Sequence, residues 1–91
     1  MIKHYNITVS GKVQGVWYRK STKETAKRLG GIQGFVENLD NGNVYIEAEG
    51  DETQLKELVD WCHHGPEFAL VSHVKFKEDV VQGFEAFEIK Q

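Results

Sequence analysis

The hydrophobic pattern of this chain changes period across one glycine-bracketed stretch near its start. Residues 5–10 alternate between apolar and polar side chains, which predicts a strand with one buried face. Residues 18–29 instead carry apolar side chains at three- and four-residue steps, which predicts an amphipathic helix that ends at Gly30-Gly31. The stretch between them, residues 10–19, must therefore turn a strand directly into a helix.

A second constraint is the dipeptide Asn41-Gly42, the strongest short-range signal for a tight hairpin turn. It lies between two apolar stretches, residues 32–39 and 43–49, which should pair as antiparallel strands. Gly50 is then expected to close the hairpin.

A second helix is predicted after the hairpin. Asp51 is placed to cap it, with Gln54 three residues later, and Gly65-Pro66 is expected to end it. Its apolar positions repeat at helical spacing at Leu55, Leu58, Val59 and Cys62. Residues 71–76 and 84–89 are the last two strand candidates.

The order of elements is therefore strand, helix, strand, strand, helix, strand, with one short extra strand. This order predicts an α+β fold of the ferredoxin-like split βαβ type, in which two helices cover one face of an antiparallel sheet. With 91 residues and no linker or repeat, the chain is expected to be a single domain over residues 1–91.

Composition narrows the class of partner and compartment. Eleven basic and 14 acidic side chains give a net charge of −3, which argues against general binding to nucleic acid or to an anionic membrane. The single cysteine, Cys62, has no intramolecular disulfide partner, and no apolar run suggests a signal peptide or a membrane span. We expect a cytoplasmic protein that does not bind membranes or nucleic acid.

The strand-to-helix loop has the composition of a local anion site. Gly11 and Gly15 allow backbone N–H groups to turn toward one point, and Arg19 adds a planar guanidinium as the helix begins. The loop lacks the Gly-Lys-Ser/Thr ending of a nucleotide P-loop and the spacing of a dinucleotide fingerprint. A small phosphoryl group is therefore the simplest ligand.

Two segments resemble the signatures of the acylphosphatase family. The first is Gly11-Lys12-Val13-Gln14-Gly15-Val16-Trp17-Tyr18-Arg19, and the second is Gly34-Phe35-Val36-Glu37-Asn38-Leu39-Asp40-Asn41-Gly42-Asn43-Val44. Weaker similarities follow at residues 65–74 and 87–90, in the order the family shows. Together they extend over nearly the whole chain.

This resemblance implies the metal-independent hydrolysis of small acyl phosphates by water, giving a carboxylate and inorganic phosphate without a cofactor. It implies Arg19 and Asn38 as catalytic residues, with Arg19 binding the phosphoryl group and Asn38 positioning the attacking water. It also implies that the phosphoryl group is bound by Gln14, Gly15, Val16, Trp17, Tyr18 and Arg19.

The chemistry of these residues agrees with those roles. Arg19 stays ionised and can contact two phosphoryl oxygens at once. Asn38 is no base, but its amide can hold a water molecule. A carboxylate leaving group departs without a general acid, so positioning and electrostatics can supply the catalysis.

Several positions depart from the family pattern. Glu37 and Leu70 stand where basic residues are common, Asn41 replaces the usual Asp, and Lys90 takes an Arg position. Because neighbours on a strand face opposite sides, Glu37 need not contact a substrate held near Asn38.

Other residues have more ordinary interpretations. Tyr18 is expected to anchor the loop in the core, with Trp17 partly exposed. His63-His64 lacks matching metal ligands and should contact terminal carbonyls or solvent, and Cys62 should be a buried, inert thiol.

Two alternative functions remain at this stage. A non-catalytic module could use the same loop to bind a phosphate-bearing ligand. RNA-recognition motifs share the order of elements, although the net acidity and the incomplete aromatic signature argue against RNA binding. We expect a monomer.

Overall fold

The computed structural model describes residues 1–90 and contains five strands and two helices. In chain order they are β1 (Ile2–Lys12), α1 (Tyr18–Leu29), β2 (Gln33–Asn38), β3 (Val44–Asp51), α2 (Glu52–Cys62), β4 (Leu70–Asp79) and β5 (Phe87–Lys90). This order confirms the predicted fold, and α1 has the predicted bounds.

The five strands form one sheet in the order β4-β1-β3-β2-β5. All neighbours pair antiparallel except β2 and β5, which run parallel, so the sheet is mixed rather than wholly antiparallel as the sequence suggested. The cause lies in the path after β4. The end of β4 pairs with His4, and Gly34 of β2 pairs with Phe87, so β5 begins at the end of the sheet where β4 stops and where β2 also begins.

One face of the sheet is covered by both helices and holds the core. The alternation predicted for β1 is observed, since Tyr5, Ile7 and Val9 are all buried. The apolar stripe predicted for α2 is likewise buried. Further core residues are Val13, Val16, Tyr18, Ala26, Ile32, Val36, Val44, Ile46, Ala48 and Ala69.

Several element boundaries differ from the sequence predictions: β1 and β4 are longer than predicted, and α2 ends at Cys62, before Gly65-Pro66. Gly50 lies within β3, which continues to Asp51, so Gly50 does not close the hairpin. Asp51 occupies the N-cap position of α2 but makes no capping hydrogen bond, because its Oδ1 accepts one from the amino terminus of Met1 at 3.0 Å. The last strand begins at Phe87 rather than Phe84, since the Phe84 N–H donates to a side chain of β3, Glu49.

The helices have 12 and 11 residues, and no helix within residues 1–90 has the length and apolar content needed to cross a membrane.

Candidate active site

The loop between β1 and α1 presents backbone N–H groups that no group of the described chain accepts. Gly15 has a φ of 73°, and no other residue lies within 4 Å of where its Cβ would be, so its role is conformational. The first N–H to enter the helical pattern is that of Ser21, which donates to the Trp17 carbonyl at 3.0 Å. The N–H groups of residues 15–20 have no acceptor among residues 1–90. Such a cluster favours an anion.

The side chain of Tyr18 fixes this loop to the core. Tyr18 is buried, its hydroxyl donates to the Cys62 carbonyl at 2.8 Å, and its ring packs against Trp61. The predicted anchoring role is thereby confirmed. Its neighbour Trp17 has 72% of its surface exposed and adopts a left-handed backbone with a φ of 67°.

Arg19 extends from the first turn of α1 toward the last strand. Its Nη1 donates to the backbone carbonyl of Lys90 at 3.0 Å. This bond uses one of the five N–H donors of the guanidinium and fixes its direction, leaving the others available to a ligand. Residue identity does not predict this partner, because any residue at position 90 supplies a backbone carbonyl.

Asn38, the last residue of β2, carries an unsatisfied acceptor. Its Oδ1 is buried and accepts no hydrogen bond from the part of the chain that the structure describes. A buried polar atom without a partner is costly and therefore uncommon in a native fold. An acceptor that nonetheless persists here is suited to a donor from outside the protein.

These groups meet in one cleft of about 320 Å³. It is lined by Val13, Gly15, Trp17, Tyr18, Arg19, Lys20, Asn38 and Ile89. Arg19 and Asn38 thus share one cavity, together with three of the loop residues predicted to bind phosphate. Sequence reasoning did not single out Val13, Lys20 or Ile89.

Two of the predicted phosphate-binding residues do not line the cleft. The side chain of Val16 is buried in the core. The Nε2 of Gln14 donates to the carbonyls of Leu39 and Asn43, at 2.7 and 2.9 Å. The Gln14 side chain therefore ties the loop to the turn that follows Asn38, and only the backbone of residues 14 and 16 remains available to a ligand.

The acylphosphatase family model matches residues 5–89. The chain belongs to the acylphosphatase family. It is 52% identical over 77 residues to an acylphosphatase of Marinobacter nauticus, covering 85% of this chain and 83% of the relative.

Solved acylphosphatase structures agree over the whole fold. One from Coxiella burnetii superposes with a TM-score of 0.94 at 37% identity, covering 98% of this chain and 93% of the other. One from Bacillus subtilis gives 0.93 at 34% identity, with both chains covered completely. These findings confirm the predicted family and its activity, the hydrolysis of acyl phosphates, and nothing in them favours a non-catalytic module.

The departure at Glu37 lies outside the cleft. Glu37 precedes Asn38 on β2 and pairs in register with Tyr45 and Lys90, but it does not line the cavity. The two charged side chains that do line it, Arg19 and Lys20, are both cationic. The cleft therefore attracts anions despite the acidic total charge.

His63 and Cys62, two further side chains with potential chemical reactivity, have structural roles. His63 Nδ1 contacts the Val59 carbonyl at 3.0 Å, as expected for a histidine at a helix end. Cys62 is buried, and burial raises the pKa of its thiol to about 12, so it is inert as predicted. Within residues 1–90 no three His, Cys, Asp or Glu side chains are grouped to hold a metal.

Proposed function

We propose that the chain hydrolyses the carboxyl–phosphate anhydride of acyl phosphates with Arg19 and Asn38 as catalytic residues. The phosphoryl group binds against the backbone N–H groups of residues 14–19. One observation carries this proposal: a free N–H cluster, a guanidinium and an unsatisfied buried acceptor share one cleft. A phosphoryl anion would accept hydrogen bonds from the N–H cluster and from the guanidinium. A water molecule would donate a hydrogen bond to the unsatisfied acceptor.

Arg19 supplies binding and transition-state stabilisation. With Nη1 held by the Lys90 carbonyl, its remaining donors can contact two oxygens of the phosphoryl group. Charge spreads over those oxygens as the bond to the leaving group lengthens, so fixed donors around them lower the barrier.

Asn38 holds the nucleophile. Its Oδ1 accepts a hydrogen bond from the attacking water, which turns a lone pair of the water oxygen toward phosphorus. The water oxygen forms the new P–O bond while the bond from phosphorus to the carboxyl oxygen breaks. The electron pair of that bond leaves on the carboxylate, and a phosphoryl oxygen takes the proton from the water.

The mechanism uses no metal ion. The carboxylate leaving group needs no Lewis acid, and a divalent cation would be repelled by Arg19 and Lys20 in the same cleft. We expect full turnover of benzoyl phosphate in excess chelator. Activity restored only by an added divalent cation would contradict this mechanism.

Substitution of Arg19 gives the decisive test. Arg19→Ala should lower kcat/KM for benzoyl phosphate by about 10³-fold or more, because both binding and charge stabilisation are lost. Arg19→Lys should also be poor, since an ammonium keeps the charge but lacks the planar fork. Arg28→Ala, an exposed position in the last turn of the same helix, is the matched control and should retain activity.

Two results would overturn the proposal in different ways. Undiminished turnover by Arg19→Ala would remove Arg19 from the site. A folded wild-type protein that binds inorganic phosphate but turns over no acyl phosphate would instead support the binding module.

We further propose that the chain works as a cytoplasmic monomer without nucleic-acid partners. The loop, Arg19 and Asn38 all come from one chain, so a second copy is not needed to complete the cleft. A single buried thiol at Cys62 is compatible with a reducing compartment. Sedimentation at micromolar concentration tests the oligomeric state.

A further inference from the structure

Trp17 has an energetically costly position that the fold itself does not explain. Its backbone is left-handed, with a φ of 67° and a ψ of 20°, a conformation that is unfavourable for a residue with a Cβ. It is the one non-glycine residue within residues 1–90 with a positive φ. Trp17 is 72% exposed, so core packing does not offset that cost. Such strain at a cleft is a signal of function.

Trp17 and Ile89 together line an apolar wall of the cleft. Val13 and Tyr18 also line the cleft, but they are almost fully buried, so the accessible apolar surface comes from Trp17 and from Ile89, which is 37% exposed. Ile89 precedes Lys90, whose carbonyl fixes Arg19. The wall is therefore adjacent to the guanidinium that would hold the phosphoryl group.

A cation also lies over the indole. Lys20 Nζ lies 5.9 Å from the centroid of the Trp17 ring, within the range of a cation–π contact. Lys20 is the next residue of α1 after Arg19. This contact favours one orientation of an otherwise exposed ring.

The cleft is larger than a phosphoryl group requires. Its volume of about 320 Å³ is within the range of pockets that enclose whole small molecules, and those pockets combine apolar walls with a few fixed polar groups. The N–H groups and Arg19 are the polar groups for phosphorus. The apolar wall is then available to the other half of the substrate.

We propose that Trp17 and Ile89 form the subsite for the acyl group and select acyl phosphates with aromatic or branched apolar acyl groups. This inference rests on the proposed function. The backbone of Trp17 faces the phosphoryl group, and its side chain recognises the acyl group. Substrates with a small acyl group, such as acetyl phosphate, gain nothing from the wall.

The test is the ratio of kcat/KM for benzoyl phosphate to that for acetyl phosphate. Trp17→Ala, which keeps a Cβ on the left-handed backbone, should lower this ratio about tenfold, since aromatic contact and apolar burial are lost. Trp17→Phe should restore most of it. Ile89→Ala should lower the ratio about threefold. Phe68→Ala, which removes an exposed aromatic ring outside the cleft, is the control and should leave the ratio unchanged.

Inhibition by inorganic phosphate separates recognition from simple disturbance of the loop. If Trp17→Ala weakens phosphate inhibition and slows both substrates equally, Trp17 is only a structural part of the loop and the inference is wrong. An unchanged ratio in both Trp17→Ala and Ile89→Ala would also overturn it. If the wild type hydrolyses neither substrate, the proposed function itself fails and the acyl subsite fails with it.

Discussion

The molecule gathers consecutive backbone N–H groups in two places, and only one of them is filled by the chain itself. On the sheet face away from the helices, the N–H groups of Gln82, Gly83 and Phe84 all donate to the carboxylate of Glu49. In the cleft, the N–H groups of residues 15–20 have no acceptor among residues 1–90. The same arrangement of backbone N–H groups therefore serves stability where the protein supplies the anion, and it is suited to binding a ligand anion where the protein does not.

The polar groups around the Glu49 carboxylate form a network in which each group has a partner. We call this network the Glu49 cluster; it comprises His4, Asn6, Glu47, Glu49 and the Gln82–Phe84 backbone. His4 Nδ1 lies 2.7 Å from Glu49 Oε2, and His4 Nε2 lies 2.8 Å from Asn6 Oδ1 and 3.1 Å from Glu47 Oε1. Both ring nitrogens thus face acceptors, which favours the charged imidazolium. The cleft has the opposite character, with donors and an acceptor left unmatched.

The difference between the satisfied Glu49 cluster and the unsatisfied cleft predicts the largest effect at Asn38. Asn38→Ala should lower kcat for benzoyl phosphate by about 10²–10³-fold, because it removes the acceptor that we propose positions the attacking water. It should not lower the free energy of unfolding, because it removes a buried oxygen that has no partner among residues 1–90. Turnover and urea unfolding check the two halves.

Asn43→Ala is the control for this variant. Asn38 precedes the turn between β2 and β3, and Asn43 follows it. Asn43 does not line the cleft, and only its backbone takes part in the hydrogen bonds described. It should keep nearly all activity. A clear loss of stability in Asn38→Ala with normal turnover would show that Asn38 serves the stability of the fold and not catalysis.

Glu49 should show the reverse result. Glu49→Ala removes the acceptor for three N–H groups and the partner of His4, and we expect a loss of about 2–3 kcal/mol in the free energy of unfolding. At temperatures where the variant is folded, kcat should be close to that of the wild type.

The matched control for Glu49→Ala is Glu57→Ala, an exposed position on α2. Its unfolding free energy should differ from the wild type by less than about 0.5 kcal/mol. Equal stability of the two variants would show that the Glu49 cluster contributes little.

The Glu49 cluster also predicts a pH dependence of stability. Burial alone would lower the pKa of His4, but the hydrogen bonds that the ring donates to Glu49 and Asn6, together with the charges of Glu47 and Glu49, outweigh it and raise the pKa above 6.5. Asp79 of β4 also faces this charge, and its own pKa is lowered mainly by the Val80 N–H and by Asn6, with a smaller effect of His4. The stabilisation by His4 is therefore complete below pH 6.5 and is lost as pH rises through the raised pKa.

The carboxylate of Glu49 sets the acid limit. Burial opposes its charge, but the N–H of Gln82, the ring of His4 and the N–H groups of Phe84 and Gly83 lower its pKa below 4.5 overall. Its contribution is present above pH 4.5 and is lost as pH falls through the lowered pKa. Stabilisation by the pair is therefore greatest between about pH 4.5 and 6.5.

His4→Gln tests the alkaline side of this window. The stability advantage of the wild type over His4→Gln should be on the order of 1 kcal/mol at pH 6 and should shrink as pH rises above the pKa of His4. Denaturant unfolding at several pH values measures it. His73→Gln, an exposed position on β4, should give a curve parallel to the wild type, and the same result for His4→Gln would contradict a charged His4.

How much of this could be predicted from sequence depends on the range of the contacts. The strands, both helices and the roles of Tyr18 and Cys62 follow from local periodicity, and Arg19 and Asn38 follow from recognisable segments. The parallel pairing of β5 and the Arg19–Lys90 bond depend on the path of residues 80–86 across the sheet. The backbone N–H groups that donate to Glu49 hold this path in place. Because every residue except proline has such an N–H group, the residue types at these positions do not predict the bonds.

The same limit applies at Asp51, where the smallest effect is expected. The local sequence predicted that Asp51 caps the helix, a contribution of about 1 kcal/mol to stability. In the structure the Asp51 carboxylate instead pairs with the amino terminus, 50 positions earlier in the chain, and both groups are mostly exposed. Asp51→Ala should therefore cost no more than about 0.5 kcal/mol in urea unfolding, and 1 M salt should remove the difference. Asp60→Ala, an exposed position on the same helix, is the control. A salt-independent loss of about 1 kcal/mol would restore the capping interpretation, because a hydrogen bond to a helix N–H is screened far less than an exposed ion pair.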